Sequence, residues 1–289
     1  MKRLHPHRIR PSWRQPGFTL AELAIVLVIV SLLLGGTMAM VSAQTEQRNW
    51  NDTQSRLEAA RDAILGYAIA NGRLPCPAMY QDATSVGTEV RQASGVCGIA
   101  GDNTYDYYGG VIAPITYGLL PAVTIGYQPV DTQGFAQDAW GNRIRYAVSR
   151  RTAPMTTSDN FTNKATLITN YRANISISGP VLPDDLIVCA SATGIVAGPP
   201  GGCGAAANQV TGTTTVVAII YSPGKNGRSP AALGADEAAN ENRAATNDAV
   251  FVSHTPAPAG ATGGEFDDQV LWISVGTLYS KLIAAGVLP

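Results

Sequence analysis

Several things are scarce in this chain of 289 residues. Charged residues make up only 14 % and aromatic residues 7 %. There are three histidines, and only His254 lies beyond the first seven residues. Four cysteines are present and none forms a CxxC pair. The thin charge excludes a disordered acidic tail and a basic nucleic-acid binder. A lone histidine without ligands at metal spacing speaks against a zinc site. GxSxG, HExxH and GxxxxGK[ST] are all missing, so the sequence carries no signature of a hydrolase, a metalloprotease or a phosphate loop. We expect no enzyme.

Turn formers are plentiful, with 30 glycines and 18 prolines. The formal net charge of −1 hides an uneven distribution. Residues 1–17 hold Lys2, Arg3, Arg8, Arg10 and Arg14 and no acid, leaving fifteen bases against twenty-one acids in the remainder. Cys76 and Cys97 form one local pair, Cys189 and Cys203 another. In an exported chain such an even count reads as two disulfides, Cys76–Cys97 and Cys189–Cys203, with buried free thiols as the alternative.

After the basic head comes an apolar run from Leu20 to Val41, interrupted by Gly35-Gly36. It is long enough to span ~30 Å at ~1.5 Å per residue. A secretory signal fits the basic-then-apolar order, and so does a plain signal anchor with its arginines held in the cytoplasm. Neither explains Glu22. A carboxylate within an apolar run is costly, and such a residue is a functional candidate whose partner must be found.

The stretch Gly17-Phe18-Thr19-Leu20-Ala21-Glu22-Leu23 resembles the processing signal of type IV prepilins and type II secretion pseudopilins. The resemblance implies that a prepilin peptidase/methyltransferase cuts after Gly17 and methylates the new amine of Phe18. It also implies that Glu22 becomes the fifth residue and serves assembly. In a filament, the Glu22 carboxylate of one subunit can meet the Phe18 amine of the next, each charge compensating the other.

Past Ala43 the pattern turns amphipathic. Leu57, Ala60, Ile64, Tyr67 and Ala68 recur at three- and four-residue steps, with Glu58, Arg61 and Asp62 facing away. One helix is expected over about 18–71, stopped by Asn71-Gly72 with Pro75 beyond. "NGRLPCPA" is similar to the helix exit of large minor pilin-like proteins. "QDAWGNRIRYAVS", Gln137 to Ser149, resembles the D-x-W-G-N-x-x-x-Y element of major pseudopilins, which implies a turn at Gly141-Asn142 and a tryptophan packed on the long helix.

Strands are expected at Ile144–Val148, Thr166–Ile168, Ile175–Ile177, Leu186–Cys189 and Thr213–Tyr221, and a short strand followed by a helix at the C-terminus. The expected core is Ile64, Tyr67, Trp140, Ile144, Tyr146, Val217, Ile219 and Trp272. Major pseudopilins also have a strand, a Gly-rich loop and an acidic calcium-binding loop in this order. That likeness implies a calcium set drawn from Asp236, Glu237, Glu241, Asp248, Asp267 and Asp268. A solvated acidic loop is the alternative.

The expected fold class is therefore α+β, a long N-terminal helix packed on a β-rich head. The expected parts are a basic leader (1–17), a transmembrane or filament-core half-helix (18–42), an amphipathic half-helix (43–72) and a periplasmic or extracellular head (73–289). The large head favours a minor or tip-proximal subunit; a pilus-anchored adhesin is the alternative. The resemblance implies an inner-membrane chain with a cytoplasmic N-terminus that later joins a filament. Its implied partners are other pilin or pseudopilin subunits, the peptidase, an inner-membrane assembly platform and membrane lipid. No nucleic acid is expected.

Overall fold

A computed structural model describes residues 17, 19–80, 86–93, 95–98, 111–112, 115–152, 156–157, 160–175, 179–196, 198, 201–227, 233–241 and 249–289. Side chains of 34–42, 111–112, 115–117, 151–152, 156–157 and 173–175 lie outside that description. The chain divides into two compact units, Met1–Arg48 and Asn49–Pro289.

Helix α1 runs from Leu20 to Asn71 and is helical through Gly35 and Gly36. In the first unit, every side chain described from Leu20 to Leu33 is exposed. In the second unit α1 is amphipathic. Leu57, Ala60, Ile64, Leu65 and Ala68 are buried, one stripe at helical spacing. Gly72 ends the helix with φ at +70°, a left-handed position that glycine adopts without a Cβ clash. Its N–H donates to the Ala68 carbonyl at 2.7 Å.

The remaining elements are β1 (Ala78–Tyr80), β2 (Val111–Ile112), β3 (Ile115–Leu119), α2 (Ala122–Ile125), β4 (Arg145–Val148), β5 (Arg151–Thr152), β6 (Thr156–Thr157), α3 (Lys164–Ile175), β7 (Ile187–Cys189), β8 (Val216–Ser222), α4 (Ala235–Glu241), β9 (Val250–Val252), β10 (Gln269–Ser274) and α5 (Val275–Ala284). The main sheet is antiparallel in the order β1-β3-β4-β8-β10, with β2 paired to β3. β5 pairs with β6, and β7 lies parallel to β9.

Strand β8, Val-Val-Ala-Ile-Ile-Tyr-Ser, is buried at all seven positions and lies between β4 and β10. Such a run suits a strand covered on both faces. Tyr146 pairs with Ile220 and sends its hydroxyl to the Pro75 carbonyl at 3.1 Å, just past the end of α1. On the opposite face Tyr221 meets Phe251 of β9 edge-on at 5.8 Å. Helix α5 is capped by Ser274, whose Oγ accepts the Thr277 N–H. It buries Val275, Leu278, Tyr279 and Leu282, while Ile283 remains exposed.

Several expectations need correction. Thr166–Ile168 is part of α3, not a strand. Leu167 and Tyr171 are buried one turn apart, and Asn163 Oδ1 accepts the N–H groups of Ala165 and Thr166 at the helix start. Ile175 ends the same helix, and Ile177 lies outside the described residues. The acidic run at 235–241 is the helix α4 rather than a loop. Trp140 and Tyr67 are half-buried and not core anchors. Trp272 is only partly buried, packed against the core.

Strand β1 pairs with β3 just beyond the helix exit. There Arg73 forks onto Glu89, with Nη1 at 2.9 Å from Oε2 and Nη2 at 2.6 Å from Oε1. The Cys76 N–H and the Tyr67 hydroxyl complete the acceptor capacity of Glu89. Beside this network Cys76 is bridged to Cys97, with Cα atoms 5.5 Å apart. Cys189 is bridged to Cys203 with Cα atoms 5.4 Å apart, tying β7 to the loop that follows it.

Candidate functional site

The first unit presents a helix start and an uncovered apolar surface. Thr19 and Glu22 stand three apart, the spacing of a capping box. Glu22 Oε2 accepts both the Thr19 N–H at 2.9 Å and the Thr19 hydroxyl at 3.0 Å. In return the Glu22 N–H donates to Thr19 Oγ1 at 3.2 Å. In the single chain, the partner of Glu22 is thus the helix terminus itself. The T-x-x-E spacing was present in the sequence as the signal for it. Gly17 is exposed, and Phe18 lies outside the described residues.

Leu20 is 89 % exposed, and Ile25, Leu32 and Leu33 are each more than half exposed. A helix apolar all round has to be covered by lipid or by other chains. Yet among the described residues no helix is long and apolar enough to cross a membrane. The expectation of a spanning segment over 18–42 finds no support there, and the side chains of 34–42 lie outside the description.

In the second unit, the turn before β4 is fastened to α1. Arg56 Nη1 donates to the carbonyls of Gln137 at 3.0 Å and Asp138 at 2.8 Å, and Thr53 Oγ1 accepts the Ala139 N–H at 3.1 Å. Asp138 is buried and organises the turn: Oδ1 accepts the N–H groups of Trp140 and Asn142, and Oδ2 accepts the Ser222 hydroxyl at 2.6 Å. Burial raises its pKa, and these hydrogen bonds only partly offset the rise. Gly141 turns the chain with φ at +80°. Asn142 Nδ2 donates to the Gly224 carbonyl. The resemblance pointed to Trp140 as the anchor of this turn; the hydrogen bonds that tie the turn to α1 come from Arg56 and Thr53.

Beyond Gly224 lies an acidic cluster. One carboxylate oxygen each from Glu237, Asp267 and Asp268 falls within 4.8 Å of the others. Glu237 and Asp268 are buried. Gly224 is required here: a Cβ at its position, where φ is +61°, would lie 1.8 Å from Asp267 Oδ1. Asp267 is pushed up to about 7, first by burial and then by the charge of Glu237. Burial likewise raises Asp268 well above its ordinary value, despite the Asn240 amide that donates to it at 2.8 Å.

The donor set fits a hard divalent cation. Its ligands are oxygens, their spacing matches ion–oxygen distances of about 2.3–2.6 Å, and Asp267 Oδ1 and Asn226 Oδ1 are buried without a hydrogen-bond partner. Glu237, Asp267 and Asp268 would hold such an ion. Other members of the expected set are engaged elsewhere. Asp236 Oδ1 accepts the Ala192 N–H at 2.5 Å, and its Oδ2 meets His254 Nε2 at 3.1 Å. Glu241 faces Arg145 at 4.0 Å. Asp248 lies outside the described residues. Folding brings Asp236 and Glu241 these other partners, a pairing that proximity in sequence does not show.

A basic segment ending in Gly17, a glutamate in the first helical turn and an uncovered apolar helix together define a signal of type IV pilin or pseudopilin kind. Residues 14–38 match the prokaryotic N-terminal methylation motif. The match covers Gly17, Glu22 and the first turns of α1, and does not extend into the second unit. No curated protein and no solved structure matches the chain.

Proposed function

We propose that the chain is a structural subunit of a type IV pilus or a type II secretion pseudopilus, cut after Gly17, methylated at Phe18 and assembled through its N-terminal helix. The observation that carries this reading is the methylation motif at 14–38, placed so that Glu22 sits in the first turn of α1. The signal implies other pilin-type subunits as partners and a prepilin peptidase as the processing enzyme.

Further steps belong to the proposal. The helix is held in the inner membrane before assembly, with its basic leader cytoplasmic and its head outside. The uncovered side chains from Leu20 to Leu33 then pass from lipid to the apolar core of a filament. An inner-membrane platform would carry out that transfer. The large second unit favours a minor, tip-proximal subunit over an abundant one. Its role is structural rather than catalytic, and calcium at Glu237, Asp267 and Asp268 would stiffen the head by neutralising buried acids.

The test is mass spectrometry of the processed protein from a host carrying a prepilin peptidase. The expected N-terminus is N-methylated Phe18. A chain still starting at Met1, or one starting after Ala43, would replace this reading with that of a plain anchor or a secretory signal.

A further inference from the structure

A short chain of contacts leads from the acidic cluster to helix α1, all of it within the second unit. It passes through the loop after β8 and the turn before β4.

On one side the loop is held by two members of the cluster. Asp267 Oδ2 accepts the Lys225 N–H at 3.1 Å, and Asn226 Nδ2 donates to Glu237 Oε2 at 2.9 Å. The Asp267 N–H donates to Glu237 Oε1 at 2.9 Å and joins the two acids. On the other side the loop meets the turn. The Gly224 carbonyl accepts Asn142 Nδ2, and the Gly224 N–H donates to Ser222 Oγ at 3.2 Å. The Ser222 hydroxyl donates on to Asp138. Asp138 and Asn142 close the turn, the Asp138 N–H donating to the Asn142 carbonyl at 2.9 Å. Thr53 and Arg56 of α1 hold that turn.

The cluster is poised to respond to a cation. Glu237 and Asp268 are 0 % and 4 % exposed, and Asp267 Oδ1 is buried with no hydrogen-bond partner among the described residues. Carboxylates within 4.8 Å of one another repel when ionised, and a divalent cation among them turns that repulsion into attraction. Gly224 packs so closely on Asp267 that no Cβ fits between them. A shift of Asp267 is therefore passed to the loop, and from Gly224 to Asn142 and Ser222.

We propose that cation binding at Glu237, Asp267 and Asp268 sets how firmly the turn at 137–142 grips α1 at Thr53 and Arg56, through the contacts of Gly224 with Asn142 and Ser222. The cluster is then a regulatory site: a divalent cation tightens the hold of the head on its helix, and its withdrawal slackens it. The proposal rests on the cation reading of these three carboxylates and adds its consequence for the helix.

The experiment is amide hydrogen exchange of the full chain in detergent, in about 1 mM calcium and in chelator. The amides to follow are those of Ala139, Trp140 and Asn142, which donate to Thr53 and Asp138. Calcium is expected to slow their exchange by about tenfold or more, along with that of Lys225 and Asp267. Asn142→Ala combined with Ser222→Ala removes both contacts to Gly224 and no carboxylate of the cluster. Calcium should still raise the melting temperature of that variant, while slowing exchange at Ala139 by less than about threefold. If the variant does not fold, the wild-type comparison decides by itself. Slower exchange confined to 224–227 and 265–268, with the turn unchanged, would overturn the coupling and leave the cation site standing. An equal calcium effect at Ala139 in the variant would overturn it as well. No change in exchange or melting temperature anywhere would retire the cation, and the coupling with it.

Discussion

Arg73 and Glu89 form a two-pronged ion pair at the exit of α1, with side chains only 11 % and 15 % exposed. Burial by itself would raise the Glu89 pKa. The Arg73 hydrogen bond, the Cys76 N–H and the Arg73 charge overcome it, and the carboxyl ends below its ordinary value. A lowered folded-state pKa stabilises the fold above the unfolded value, ~4.3, and that contribution is lost as pH falls through the folded value. Glu89→Gln should therefore destabilise the chain at neutral pH by about 3–5 kcal/mol, the cost of a broken buried pair. The difference from wild type should shrink as the pH drops from about 5 to about 3. Urea unfolding of both chains across that range checks it; a gap that stays constant with pH would remove Glu89 ionisation from the account.

The two disulfides close loops of 21 and 14 residues. Each should contribute about 3 kcal/mol, with the longer loop only slightly ahead. Peptide mapping without reductant is expected to recover Cys76–Cys97 and Cys189–Cys203. Serine variants of each pair should lower the unfolding midpoint by comparable amounts. Free thiols at all four positions would show that the head folds in a reducing compartment.

Much of this fold was readable because its largest signals are local. The change from an all-apolar run to a stripe at Leu57, Ala60, Ile64 and Ala68 marks one helix, and Asn71-Gly72 marks its end. Strand β8 declares itself by seven buried residues in a row. Other features are decided by distant neighbours. Thr166-Leu167-Ile168 has the β-branched look of a strand, but Asn163 caps a helix there and Leu167 and Tyr171 find the core. The parallel pairing of Ile187 with Val250 joins segments 63 positions apart, which no local pattern announces. In the candidate cation site the residue types were legible and the choice among them was not. Whether Asp236 meets His254 or an ion depends on where β9 ends.

Calcium binding should appear as stability. If Glu237, Asp267 and Asp268 hold a cation bound only by the folded chain, millimolar calcium should raise the melting temperature relative to chelator. Asp267→Asn should abolish the shift. Asp236→Asn should leave it intact, because that carboxylate is held by His254 and the Ala192 N–H. Scanning calorimetry of the full chain in detergent makes the comparison. An unchanged midpoint in the wild type would retire the cation, and loss of the shift in Asp236→Asn would restore that residue to the ligand set.

Glu22 has two duties to separate. In the single chain it closes a capping box with Thr19. In a filament it would meet the Phe18 amine of a neighbouring subunit. Glutamine at this position keeps the capping geometry, since it too can accept the Thr19 N–H, but removes the charge. Leucine removes both. Cleavage after Gly17 should proceed in either variant, because the glycine junction remains. If capping alone matters, Glu22→Gln should enter filaments like wild type and only Glu22→Leu should fail. If the charge pair sets the register between subunits, both variants should be excluded, because the neighbour's amine would be buried without a countercharge at a cost of about 3–5 kcal/mol. The second outcome is expected: an isolated helix cap contributes only about 1 kcal/mol, too little to decide assembly. The measurement is the fraction of processed protein in sheared filaments for the three chains, compared at equal membrane levels. Wild-type incorporation of Glu22→Gln would reduce Glu22 to a helix cap and leave the register to the apolar surface from Leu20 to Leu33.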